Sequence, residues 1–154
     1  MKRLPAVAVL LLMLAAACGF GADESGDYRT VSADGWLYGD TLAFGPLDCD
    51  SGARGDLVVV VRHGNGYIYS NIWLEMTRQA CDTVTVTDTF NIALADPMGR
   101  WYGTGLGLSY QRADTVLKNI IAPDSVPIKI RHIMRQDTLE DIEQIGIVFV
   151  SNGK

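Results

Sequence analysis

Ala15-Ala16-Ala17-Cys18 closes an uncharged run that begins at Ala6. The thiol of Cys18, and the amino group that cleavage before it would expose, are nucleophiles to which lipid chains can be attached. At about 0.8 kcal/mol per buried CH₂, several acyl chains hold a protein at a bilayer permanently. Met1-Lys2-Arg3 ahead of the run, and a run too short for a spanning helix, read as a secretory signal covering residues 1–17. Cys18 is the expected lipidation residue. An ordinary signal peptide cut near the same alanines is the alternative.

The other residues with chemical potential are few. Beyond Cys18 only Cys49 and Cys81 remain. In an oxidising compartment they could close a disulfide loop of about thirty residues, worth about 3–4 kcal/mol, or stay two small thiols. His63 and His132 each sit beside an arginine, with no ligands at zinc spacing. They are expected on the surface or in loops, and no metal site is expected. Gly103-Thr-Gly105-Leu-Gly107 lacks the Lys-Ser/Thr and the helix of a phosphate loop, so its glycines mark a bulge or a close approach. No serine lies on a nucleophile elbow, and Glu140, Asp141 and Glu143 read as a solvated turn. No catalytic residue and no cofactor are expected. Trp36, Trp73, Trp101 and the six tyrosines form either core or a sugar-stacking face, with core favoured.

The elements that must position these residues are short and extended. Leu57 to Val61 and Tyr67 to Met76 are apolar runs joined by His63-Gly-Asn-Gly66, which predicts a long β-hairpin in mid-sheet. Val84, Val86, Phe90, Ile92 and Leu94 alternate with polar residues at period two. Trp36–Phe44, interrupted at Gly39-Asp40, reads as a strand, as do Trp101–Tyr110, Val126–Met134 and Ile145–Val150. Asp96-Pro-Met-Gly99 reads as a turn whose aspartate accepts its own backbone N–H groups. Leu139 and Ile142, three apart behind Asp137, predict one or two helical turns across 137–144. The expected fold is an all-β antiparallel sandwich of seven or eight strands, jelly-roll or immunoglobulin-like, with at most one short helix.

A chain of 154 residues that is 48% hydrophobic suits one domain with a substantial core. The predicted organisation is a signal peptide (1–17), a lipidated Cys and glycine-rich acidic tether (18–27), and a sandwich domain (28–154). Cleavage removes two of the 13 basic residues, Lys2 and Arg3, against 18 acidic ones, moving the formal charge from −5 to −7. Binding to nucleic acid is driven by phosphate neutralisation, so it is excluded as a partner.

Ala15 to Cys18 resembles a bacterial lipobox, with Ala15 where leucine is usual. The ordered set Arg62-His63, Tyr67, Asn71-Ile-Trp73-Leu74, Leu94-Ala-Asp96, Gly99-Arg-Trp101, Gly103-x-Gly105, Met134-Arg135 and Ile145-Gly-Ile147 resembles the GldH family of gliding-motility lipoproteins of the Bacteroidetes. The resemblance implies a non-enzymatic cell-envelope lipoprotein that binds motility or type IX secretion proteins. The implied location is the outer membrane, facing the periplasm. It assigns no catalytic residue and makes Arg62, His63, Tyr67, Asn71, Trp73, Asp96, Gly99 and Trp101 the family-motif candidates. On the residues alone, Trp73 and Trp101 are expected to pack across the sandwich, and Arg62 to pair with Asp96 or reach solvent. A glycan-binding module of a polysaccharide-uptake system is the alternative, marked by several of these aromatics exposed in one row.

Overall fold

β-Branched and aromatic side chains at alternate positions favour a pleated backbone along most of this chain. The computed structural model describes residues 24–81, 84–123 and 126–153, without the side chains of Ala80, Cys81 and Leu106. Eleven strands and no helix occur among the described residues: β1 (Glu24–Thr30), β2 (Trp36–Leu37), β3 (Leu42–Phe44), β4 (Arg54–Gly64), β5 (Asn71–Cys81), β6 (Val84–Ala93), β7 (Thr104–Leu106), β8 (Ser109–Ile121), β9 (Ile128–His132), β10 (Thr138–Leu139) and β11 (Ile142–Ser151). Seven of them have five or more residues. A five-stranded sheet in the order β1-β11-β4-β8-β7 faces a four-stranded sheet in the order β3-β9-β5-β6, and β2 pairs with β10 at the side. All pairings are antiparallel, as the sequence predicts.

Period-two alternation builds the core between the two sheets. Leu57, Val59 and Val61 of β4 and Ile145, Ile147 and Phe149 of β11 point inward from one side. Ile72, Leu74 and Met76 of β5, Ile92 of β6 and Ile128 and Ile130 of β9 meet them, every one at most 1% exposed. Each such burial contributes about 1.5–3 kcal/mol. One flank is tied where the Arg29 guanidinium donates to the Ala43 carbonyl at 2.8 Å and the Gly45 N–H donates to Asp27 at 2.9 Å.

Four expectations need correction. The run from Asp56 to Met76 is not a hairpin: β4 pairs with β11 and β8, β5 pairs with β6 and β9, and residues 65–70 carry the chain between the two sheets. Pairing them side by side would set both apolar faces in one sheet, whereas separated they face each other through the core. Gly66 consequently does not serve a reversal and has no positive φ. It lies close against Asp141, whose carboxylate a Cβ there would push aside. Residues 137–144 form β10, a turn at Glu140-Asp141 and the start of β11, with no helical turn. Leu139 and Ile142 are both buried because the turn, with Asp141 at φ 59°, returns the chain to the same interior.

The first strand begins at Glu24, paired with Val150, so Glu24–Asp27 are sheet and not tether. The signal peptide, Cys18 and the remaining tether lie outside the described residues. β8 runs for 13 residues to Ile121, far past the predicted end at Tyr110. The β4 register gives the sandwich two distinct ends. Gly55 lies opposite Ser151 near Glu24, whereas Gly64 donates its N–H to Asp141. Eleven residues of β4 set these ends about 35 Å apart.

Candidate functional site

His63 continues the inward parity of Leu57, Val59 and Val61, so β4 itself carries the imidazole into the core end, where it is 0% exposed. Its Nδ1 lies 2.9 Å from the Gly64 carbonyl oxygen. A carbonyl only accepts, so Nδ1 donates in this bond. Nε2 is buried without a polar partner. Aromatic rings enclose it instead: Trp101 edge-on at 4.6 Å, Tyr110 stacked at 5.8 Å and Tyr67 at 5.8 Å.

The two loops at this end hold those rings. Tyr67 donates its hydroxyl to the Asn71 carbonyl at 3.1 Å, and burial pushes its pKa well above the ordinary tyrosine value. Asp96 accepts the N–H groups of Met98 (2.8 Å) and Arg100 (3.0 Å) and the Arg100 guanidinium (2.7 Å). The bond from the Arg100 backbone leads in holding its carboxyl below the usual carboxylate range. Gly99 takes φ 78° in the same turn, a conformation that favours glycine. The turn delivers Trp101 through the Ala95–Trp101 bridge, and the indole N–H donates to Asn65 Oδ1 at 3.1 Å. His63, Tyr67, Asp96, Gly99 and Trp101 are therefore brought together by structure.

The remaining motif residues face elsewhere. Arg62, on the opposite face of β4, pairs with Glu143 at 3.0 Å and with Ser109 at 2.9 Å, and not with Asp96. Asn71 and Trp73 lie on the outer face of the four-stranded sheet, and Trp73 is 42% exposed. It does not pack across the sandwich. Trp101 does contribute to the interior, but at its end and half-buried. The side chain of Cys81 is not described, so a bond to Cys49 is not addressed; Cys49 Sγ lies 3.3 Å from the Leu47 carbonyl.

His132 contradicts the surface expectation as fully as His63 does, being 0% exposed. Its Nε2 donates to the Trp36 carbonyl at 3.0 Å, Nδ1 has no partner, and the rings of Trp36 (5.3 Å) and Tyr38 (5.6 Å) close over it. Burial pulls its pKa below the ordinary histidine value, opposed by the carbonyls of Trp36 and Leu37. The signal for both histidines was available: each extends an alternating apolar series, 57-59-61-63 and 128-130-132. Tyr38, Tyr69 and Tyr110 are among the six tyrosines read as core or sugar-stacking face, and Asn91 is a polar position of the 84–94 alternation, but nothing in the spacing showed which of their neighbours they meet. Neither histidine hydrogen-bonds a carboxylate or a nucleophile, and no group of three or more metal-binding side chains occurs among the described residues. What the His63 end offers is a fixed surface of loops over a rigid aromatic base.

Recesses among the described residues flank this frame. One of about 230 Å³, lined by Glu24, Asp48, Cys49 and Asp50, lies at the β1 end, beside another lined by Asp50, Arg54 and Ser151. A third, about 580 Å³, lies on the outer face at Tyr69 and Trp73. The chain matches the family described as GldH lipoprotein over residues 25–149. No curated protein and no solved structure matches.

Proposed function

Because the chain belongs to the GldH lipoprotein family, a family of gliding-motility-associated lipoproteins, we propose that it works as a non-enzymatic docking component of the envelope machinery for gliding or type IX secretion. In this reading Cys18 is acylated and residues 18–23 tether the sandwich to the outer membrane on its periplasmic side. Lipid anchoring itself accords with the family.

The observation that carries the reading is how the motif residues are used. The polar groups of Asp96, Trp101 and Tyr67 bond within the motif end itself, which leaves that end a shaped surface. The chain enters the domain at Glu24, at the opposite end of β4. In this reading the motif end lies about 35 Å from the point where the chain enters the domain, where partner proteins can reach it.

Two experiments test this. Cys18→Ala moves the protein from the membrane fraction to the soluble one and removes radiolabelled palmitate from it; unchanged membrane association refutes the anchor. Crosslinking in cells followed by purification in mild detergent recovers partner proteins, and Trp101→Ala depletes them. Recovery of the lipoprotein alone refutes docking.

A further inference from the structure

The outer face of the four-stranded sheet carries a polar array around one exposed indole. Trp73 stands opposite Asn91, Glu75 opposite Thr89 and Thr77 opposite Thr87 across β5 and β6. The one charged pair on this stretch is internally neutralised: the Arg131 guanidinium donates to Glu75 at 2.7 Å and holds its carboxyl below the usual range. At the Tyr69 end the sheet and the segment after β9 enclose the recess of about 580 Å³, lined by Tyr69, Asn71, Trp73, Thr89, Arg135 and Gln136 among others.

The recess has fixed geometry and unspent binding groups. β5 is an inner strand, and the Trp73 backbone is held by the segment after β9, its N–H toward Met134 Sδ (3.3 Å) and its carbonyl by the Ile133 N–H (3.0 Å). The Asn71 amide donates to Asn91 Oδ1 at 2.7 Å. That bond orients both amides and leaves Asn71 Oδ1 as an acceptor and Asn91 Nδ2 as a donor. The Trp73 indole N–H and the side chains of Arg135 and Gln136 have no hydrogen-bond partner among the described residues.

We propose that this recess binds an oligosaccharide, with one pyranose ring stacked on Trp73 and its hydroxyls held by Asn71, Asn91, Thr89 and Gln136. A pyranose offers an apolar C–H face rimmed by hydroxyls, which matches one flat aromatic surface ringed by amides and a hydroxyl. Arg135 is the unpaired cation of the lining, so the ring is neutral or carries a carboxylate. An extended peptide would be read through its backbone at a sheet edge, and here β6 and β9 occupy both edges of β5. The site is separate from the docking surface above, and neither reading depends on the other.

The test uses the full lipoprotein in detergent, run by affinity electrophoresis through gels containing neutral glucans, xylans and mannans or uronate polymers. Tryptophan fluorescence titration with the matching oligosaccharides, and with a proline-rich peptide, gives affinities. Retardation is expected in at least one gel, with the neutral and uronate gels distinguishing the two ring types. Trp73→Ala weakens binding about tenfold or more and Asn91→Ala about threefold. Both variants keep the native unfolding temperature within a few degrees, since both side chains face solvent. No retardation by any polymer overturns the proposal, as does equal binding by Trp73→Ala, or a Trp73-dependent complex with the proline-rich peptide in place of saccharide.

Discussion

His63 and His132 sit in cages of the same chemistry and different construction. In each, one ring nitrogen donates to a main-chain carbonyl, the other has no hydrogen-bond partner, and aromatic rings make the walls. The His132 cage is roofed by Trp36, itself 1% exposed and part of the continuous core. The His63 cage is roofed by Trp101, half-buried and supplied by a loop, with Tyr67 from a second loop beside it. The first cage therefore belongs to the stability of the sandwich. The second converts a rigid strand end into a defined arrangement of two loops, and it is where most of the family-motif residues gather.

Truncation of the two roofs separates these roles most sharply. Trp36→Ala empties the interior and removes about 3–5 kcal/mol of stability, measured by urea denaturation. Trp101→Ala costs about 2 kcal/mol, because part of the ring already meets solvent. Its main effect is local: amides of residues 65–70 and 94–103 exchange faster while those of β5 and β11 do not. Equal global losses from the two variants would erase the distinction between the cages.

Much of this architecture was legible as parity. Val86 to Leu94 alternates as written, with Ile92 and Leu94 buried, whereas Val84 is exposed; Asp96-Pro-Met-Gly99 forms its turn. The partner of each strand was not legible, because an apolar run does not record which sheet it joins, and the glycines at 64 and 66, spaced like those of a hairpin turn, lie close against Asp141 instead. β8 escaped notice for a physical reason. Its pairing with β4 slips at Gly55/Leu57 and Leu57/Val58, and its positions opposite Val61 and Val59 are Arg112 and Asp114. Bulges and inward charges together erase the period. The aromatic end was half-legible: the motif residues were found, but their convergence required knowing that residues 65–70 cross between sheets.

Acid distinguishes the cages next. Burial lowers the folded-state pKa of His132 below its unfolded value, about 6.5, so the folded state favours the neutral ring. Its contribution is complete above the unfolded value and is lost as pH falls below it toward the folded one. Around the ring, the Trp36 and Leu37 carbonyls and Asp40 favour protonation and Arg131 opposes it. Stability falls between pH 7 and pH 5 in urea titrations, and His132→Phe flattens that slope. An unchanged slope in the variant would remove His132 as the cause.

The smallest effect is expected one residue from His63. Arg62 is its chain neighbour, yet a strand sends successive side chains to opposite faces, and Arg62 bonds Glu143 and Ser109 at the surface with its side chain 48% exposed. An exposed pair of this kind is worth about 0.2–1 kcal/mol. Arg62→Ala therefore changes stability by less than about 1 kcal/mol, whereas His63→Ala, which empties a sealed aromatic cage, costs more than twice that. A loss above about 2 kcal/mol for Arg62→Ala in the same denaturation series would mean that the Arg62–Glu143–Ser109 cluster braces the strand ends. The boundary of the motif end would then have to be redrawn to include both faces of β4.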